Sequence, residues 1–212
     1  MGVDVKPRIL RHRRMASDAM IYQIKVSLNG VIPPIWRRLL VPGAISLKEL
    51  HDVLQVAVGW TDSHLHQFVA GGTLYGRPDP GFGRGCVNEK GVRLDAVLQA
   101  EKDAMIYEYD FGDGWQHKVV LEKILGSALD GVAPSCAAGA RACPPEDCGG
   151  VRGYANLLKI ISDSSHPEHD EMLEWLGDRF EPERFDIAEA NRKLARMKLR
   201  GLATRSAATG RG

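Results

Sequence analysis

Three short stretches carry residue types that do chemistry. In "SHLHQF" (63–68), His64 and His66 stand two positions apart. On a strand that spacing puts both imidazoles on one face, where they can supply two ligands to a metal ion. Trp60 and Asp62 lie just upstream. "DFGDGW" (110–115) brings Asp110, Asp113 and Trp115 together around two glycines. "CAAGARACPPEDCGG" (136–150) holds Cys136, Cys143 and Cys148 with the acidic pair Glu146 and Asp147. His64 and His66 with Asp110, Asp113, Glu146 and Asp147 form the donor set of a metal-dependent hydrolase, on condition that the three stretches meet in space.

Each stretch also has a plainer reading. The thiols are spaced C-x6-C-x4-C, without the C-x2–4-C pair whose tight turn aims two sulfurs at one zinc ion. A zinc site would have to complete the thiols of Cys136, Cys143 and Cys148 with a fourth ligand from Cys86, a histidine, Glu146 or Asp147; otherwise the loop is structural and its thiols reduced. "DFGDGW" lacks the companion motifs of a kinase and the further acids of an EF-hand loop, and its Asp and Gly residues suit a tight hairpin turn. Nothing in the sequence brings a third ligand to the paired histidines, and at the entry to a strand such a pair is more often surface or hydrogen-bonded structure than a metal site. The signatures GxxxxGK[ST], GxSxG, HExxH and a strand-following GxGxxG are all missing. No cofactor is expected beyond a divalent metal or zinc at these residues.

The elements that must position these groups follow from periodicity. Residues 20–28, "MIYQIKVSL", alternate strictly as a half-buried strand, and 35–41 reads as its antiparallel neighbour. "SLKELHDVLQVAVGW" opens with Ser46 and Glu49 at capping-box spacing and stops at Gly59, a helix. "SHLHQFVA" is a strand, 71–91 a glycine-rich loop, and 94–100 a short helix. Residues 104–124 form a hairpin. A three-residue loop, Gly112-Asp113-Gly114, pairs Phe111 with Trp115 and Tyr109 with His117, keeping the apolar set on one face. Three amphipathic helices follow, from Tyr154, after Pro167, and from a cap at Asp186. Adjacent strands with the helices grouped late give an α+β fold with a largely antiparallel or mixed sheet.

The chain has 212 residues, 44% hydrophobic and 26% charged, enough for one core with attached tails. Its net charge of +1 hides a segregation. Residues 1–19 carry five Lys/Arg against two acids, and 192–212 carry seven against none. Sixteen bases and twenty-five acids remain between them, a body of net −9. We divide the chain into a basic, disordered segment 1–19, a folded domain 20–195, and a basic, disordered tail 196–212. The ends can touch nucleic acid, whereas the acidic body repels it. No apolar run is long enough for a membrane span and no signal-peptide core is present, so the expected location is the cytoplasm, with reduced thiols.

The stretches "YQIKVSLNGVIPPIWRRLLVP", "LKELHDVLQVAVGWTDSHLHQF", "YDFGDGWQHKVVLE" and "RACPPEDCGGVRGYANLL" occur in that order. Together they closely resemble the plasmid pRiA4b ORF-3-like family, from about Met20 to about Leu194. The resemblance implies an α+β domain found on plasmids, transposons and chromosomes of bacteria and archaea. Some members carry the name transposon passenger TnpR protein, although nothing here resembles a recombinase active site. It implies no particular reaction. The family's loop commonly reads CPPED followed by an aliphatic residue. Here Cys148 takes that place, so a shared metal site would draw on Cys136 and Cys143. Two functions are therefore expected in turn. The first is a non-catalytic binding or accessory domain of mobile elements that contacts nucleic acid through its ends. The alternative is a metal-dependent hydrolase or nuclease.

Overall fold

Local sequence and long-range pairing agree over most of the chain. The structure, a computed structural model, describes residues 20–78, 85–127, 133–177, 180–197 and 199. Both basic ends, apart from 192–197 and 199, lie outside the described residues. Strand β1 (Met20–Leu28) sits near the middle of an eight-stranded sheet, paired antiparallel with β2 (Trp36–Pro42) and with β7 (Trp115–Ser127). Beyond β7 come β6 (Ala104–Tyr109), β3 (His66–Ala70), β4 (Thr73–Gly76) and β5 (Cys86–Asn88). Beyond β2 comes β8 (Ser135–Ala140). The pairs are antiparallel except β4 with β5, which makes the sheet mixed and the fold α+β. Among the described residues, no helix is long and apolar enough to cross a membrane.

One sheet face carries the core. Tyr22, Ile24, Val26 and Leu28 of β1 align there with Leu39 and Val41 of β2 and with Trp115, Val119 and Leu121 of β7. Helix α1 (Leu47–Val58) lays Leu47, Leu50, Val53 and Leu54 onto that face, all essentially fully buried. Each such side chain stabilises the fold by roughly 1.5–3 kcal/mol. The capping box forms as its spacing requires: the Ser46 hydroxyl accepts from the Glu49 amide and the Glu49 carboxylate accepts from the Ser46 amide. Gly59, in the left-handed region at φ 94°, closes the helix and aims the chain at Trp60. Arg37, only 2% exposed, donates to the carbonyl of Ala57 at the end of α1 and to those of Trp36 and Ala140, and stacks on Phe185. The negative end of α1 and these carbonyls offset a buried cation that is paired with no carboxylate among the described residues.

Short helix α2 is Leu94–Val97, and α3 (Gly150–Ser162), α4 (His169–Leu176) and α5 (Ile187–Leu194) follow β8. Asp186 caps α5 by accepting from the Glu189 amide, and Asn191 clamps α5 to β8 through both backbone groups of Cys136. Met197 packs against the core, as does Leu199 at 7% exposure.

The hairpin differs from the register expected. Tyr109 faces Trp115, Tyr107 faces His117 and Met105 faces Val119, so the connection is a five-residue turn, 110–114. The shift is by two positions, which leaves the same side chains on the core face. Asp110 is the cause. It leaves the strand with φ 56°, its amide donates to Leu65, and its carboxylate accepts from the amides of Gly112 and Asp113. Phe111 is thereby turned outward, 43% exposed, instead of pairing with Trp115. The glycine-rich stretch after β3 contains β4 and β5, and the first half of the cysteine stretch is β8, where loops were expected.

Candidate functional site

Three connections converge at one end of the sheet: the segment between α1 and β3, the β6–β7 turn, and the entry to α3. They bring together His64, Asp110 and Asp147, whose potential ligand atoms all lie within 4.8 Å of one another. His64 Nε2 is 3.2 Å from an oxygen of Asp147 and 3.7 Å from one of Asp110. It is aligned for a hydrogen bond with neither, and the atom is closed to solvent. A polar nitrogen held between two carboxylates without a bond to either is the arrangement that a shared cation completes. Asp110 is 7% exposed; the Asp147 side chain stands open. Both acids occupy the left-handed region, at φ 56° and 61°. Aspartate tolerates that conformation, but it places them off the regular paths of strand and helix.

Neighbouring groups hold these three in place. Glu146 accepts from the amide and hydroxyl of Thr61 and from the hydroxyl of Tyr109. That hydroxyl in turn accepts from the amides of Ser63 and His64. Burial, followed by the Glu146 carboxylate, pushes the Tyr109 phenol above its ordinary range, so it stays protonated as a donor. Trp60 stacks on Tyr109 at 4.9 Å between ring centres and donates from its indole to the Pro144 carbonyl. Asp113 accepts from the Gly149 amide, tying the turn to the start of α3. The approach is close. A Cβ on Gly150 would lie 2.4 Å from the Asp113 carbonyl oxygen, and one on Gly153 would lie 1.8 Å from that of Cys148. The glycines after "CPPED" are thus the condition for Asp147 to meet the "DFGDG" turn.

A second group, His51, Asp62 and His66, also brings its ligand atoms within 4.8 Å, but its hydrogen bonds give it a different character. The Asp62 amide donates to Gln55 Oε1, which fixes the Gln55 amide so that its nitrogen donates to the Tyr107 hydroxyl. That hydroxyl must then give its own proton to His51 Nδ1, 2.8 Å away. His51 therefore carries its proton on Nε2 and donates it to Asp62 at 2.7 Å. Both ring nitrogens are committed, and neither lone pair is free for a metal. Burial, and next the adjacent His66, lower the His51 pKa to about 4, which keeps it neutral. His66 stacks face to face on His51 at 3.4 Å, and its Nε2 lies 2.8 Å from Glu89, a carboxylate only 2% exposed. This network fixes the floor beneath the segment that bears His64.

A sequence model described as "Plasmid pRiA4b ORF-3-like protein" matches residues 20–189. The chain belongs to the plasmid pRiA4b ORF-3-like family. It is 38% identical over 174 residues to the uncharacterized protein y4hQ of Sinorhizobium fredii (strain NBRC 101917 / NGR234), which spans 82% of this chain and 87% of that protein. It is also similar to the crystal structure of a protein of unknown function, MM3350 from Methanosarcina mazei Go1. There the TM-score is 0.72 at 40% identity, covering 81% of this chain and 97% of that one. The relatives support the fold and family and name no activity.

Within this pRiA4b ORF-3-like domain, the residues singled out by sequence separate into distinct places. His64, Asp110 and Asp147 meet; His66 joins His51 instead; Glu146, Asp113 and Trp60 brace the connections. Trp115 is fully buried, with its ring 6.0 Å from that of Trp60. Cys136 and Cys143 belong to no group of three potential ligands among the described residues. The Cys136 thiol donates to the Ala138 carbonyl, and Cys143 accepts from Arg37 at 3.7 Å. Burial raises the pKa of both thiols, and Cys148 is pushed up to about 12 by burial and then by Asp113. All four cysteines are free. Sequence reasoning passed over His51, Thr61, Tyr109 and Glu89. A signal existed for the first: His51 and Gln55, four apart, interrupt the apolar face of α1 with polar groups.

Proposed function

We propose that this domain binds one divalent cation at His64, Asp110 and Asp147 and uses it for hydrolysis. The observation that carries the proposal is His64 Nε2, closed to solvent and unbonded between two carboxylate oxygens. One imidazole and two carboxylates suit Mn²⁺ or Zn²⁺ and leave coordination positions for water and for a substrate oxygen. Of the two functions expected from sequence, the hydrolytic alternative has this support. Among the described residues, no Lys or Arg is paired with Asp110 or Asp147. Four acids (Asp110, Asp113, Glu146 and Asp147) belong to the turn and the α3 entry that form the site, which favours an uncharged substrate over a polyphosphate. The test is turnover of a panel of p-nitrophenyl carboxylic and phosphoric esters by chelator-treated full-length protein, alone and with Mn²⁺, Zn²⁺ or Mg²⁺. Metal-restored turnover that is lost in His64→Ala is expected. Turnover absent with every ion and ester would refute the hydrolytic assignment.

A second reading, contact with nucleic acid as an accessory of mobile elements, is favoured by the charge segregation alone: cationic ends on a body of net −9. Its test is a salt titration of DNA and RNA binding. Binding must weaken steeply with salt and disappear when 1–19 and 200–212 are removed.

A further inference from the structure

Asp147 belongs to the cation cluster and also to the wall of a neighbouring pocket of about 290 Å³ between α3 and α4. The pocket is floored by Leu157 and Ile160 of α3, both nearly fully buried, and walled by Met172 and Trp175 of α4. Trp175 is 49% exposed, and Met172, though packed partly against the core, is not fully buried, so both keep apolar surface turned to this space. Among the described residues, Glu168 is the other charged residue of the wall beside Asp147, and no Lys, Arg or His lines it. The volume lies at the small end of ligand sites, with room for one aryl ring or a short alkyl chain. Among the described residues, an anionic arm would meet two carboxylates and no cation, whereas an uncharged apolar arm gains from burial at no electrostatic cost.

We propose that this pocket receives the uncharged apolar arm of a substrate whose reacting oxygen sits at the cation site. The substrate class is then a neutral acyl or aryl compound, an ester or amide, and not a phosphodiester. The inference rests on the cation reading given above and assigns the specificity of that same site. Binding energy from the arm positions the reacting group against the cation, as remote contacts do in hydrolases generally.

The experiment uses full-length protein loaded with Mn²⁺ or Zn²⁺ and two probes, acetohydroxamate and benzohydroxamate, which share one metal-binding group and differ in the arm. Cation binding is measured first by calorimetry, then each hydroxamate by calorimetry on the loaded protein. Benzohydroxamate is expected to bind at least about tenfold more tightly. That preference should fall to about unity in Met172→Ala and Trp175→Ala, with cation affinity unchanged. Equal affinity for the two probes on cation-loaded protein overturns the subsite and leaves the cation site standing. A preference that survives both substitutions also overturns it, by placing the arm elsewhere. Absence of cation binding overturns both.

Discussion

Replacing Gly150 with alanine probes the junction on which the site depends. Gly150 stands at φ +67°, and an added Cβ would lie 2.4 Å from the Asp113 carbonyl oxygen. Non-bonded carbon and oxygen settle at roughly 3.3–3.6 Å, so the β6–β7 turn and the start of α3 must separate by about 1 Å. The left-handed backbone costs an L-residue about 1–2 kcal/mol, and forcing packed segments apart costs about 1–3 kcal/mol. The sum, about 2–5 kcal/mol, corresponds to a fall in Tm of roughly 5–15 °C for a chain of this length. Gly149→Ala is the internal control. Its φ is +87°, but its Cβ would meet nothing closer than Gly153 Cα at 3.4 Å, so only the backbone penalty of about 1–2 kcal/mol applies. Thermal melts by circular dichroism, with urea titrations at fixed pH, measure both. Because the same displacement parts Asp110 from Asp147, cation affinity should drop at least about tenfold in Gly150→Ala, as when a supporting partner of a metal ligand is lost. If Gly150→Ala proves no more destabilising than Gly149→Ala, the close approach of turn and helix is wrong.

Three further outcomes are expected. Tyr109→Phe removes a hydroxyl that serves Glu146 and two backbone amides, and should cost about 1–3 kcal/mol in urea unfolding; a loss below about 0.5 kcal/mol contradicts the bracing role. His117 is buried, and desolvation lowers its pKa from 6.5 to about 4. The unfolded chain therefore binds the extra proton between those values. The contribution of His117 is fully present above pH 6.5, and about 3 kcal/mol is lost as pH falls to 4. His117→Gln, His117→Phe or His117→Leu should remove that share of the slope and leave the share of His51, whose pKa is lowered likewise, and an unchanged slope would refute it. Finally, burial raises all four thiols, so the native protein should react with Ellman's reagent at pH 8 far more slowly than the four thiols released by denaturant. Rapid labelling of Cys148 in the native protein would count against its place behind the α3 entry.

Much of the scaffold was legible in the sequence because its determinants are local. The capping box at Ser46 and Glu49, the cap at Asp186 and the alternation of 20–28 each specify structure within a few residues. Strands β4 and β5 escaped because they are four and three residues long within a glycine-rich stretch, and β8 because it is mostly alanine and glycine; what defines all three is the neighbour they pair with. The hairpin register escaped because Asp110 turns the chain with its own side chain, an alternative that leaves the apolar face intact. At the site, residue types were readable and partners were not. His64 and His66 look equivalent two apart, yet the first faces the turn and the α3 entry while the second stacks on a helix residue, His51. Only the assembled sheet separates them.

The central claim is a cation held by His64, Asp110 and Asp147, and calorimetric titration of the chelator-treated full-length chain with Mn²⁺ and Zn²⁺ addresses it directly. The account predicts one equivalent bound per chain, with affinity reduced at least about tenfold in His64→Ala and in Asp147→Asn and unchanged in His66→Gln. Heats no larger than dilution, or binding that persists undiminished in His64→Ala and Asp147→Asn, would contradict it.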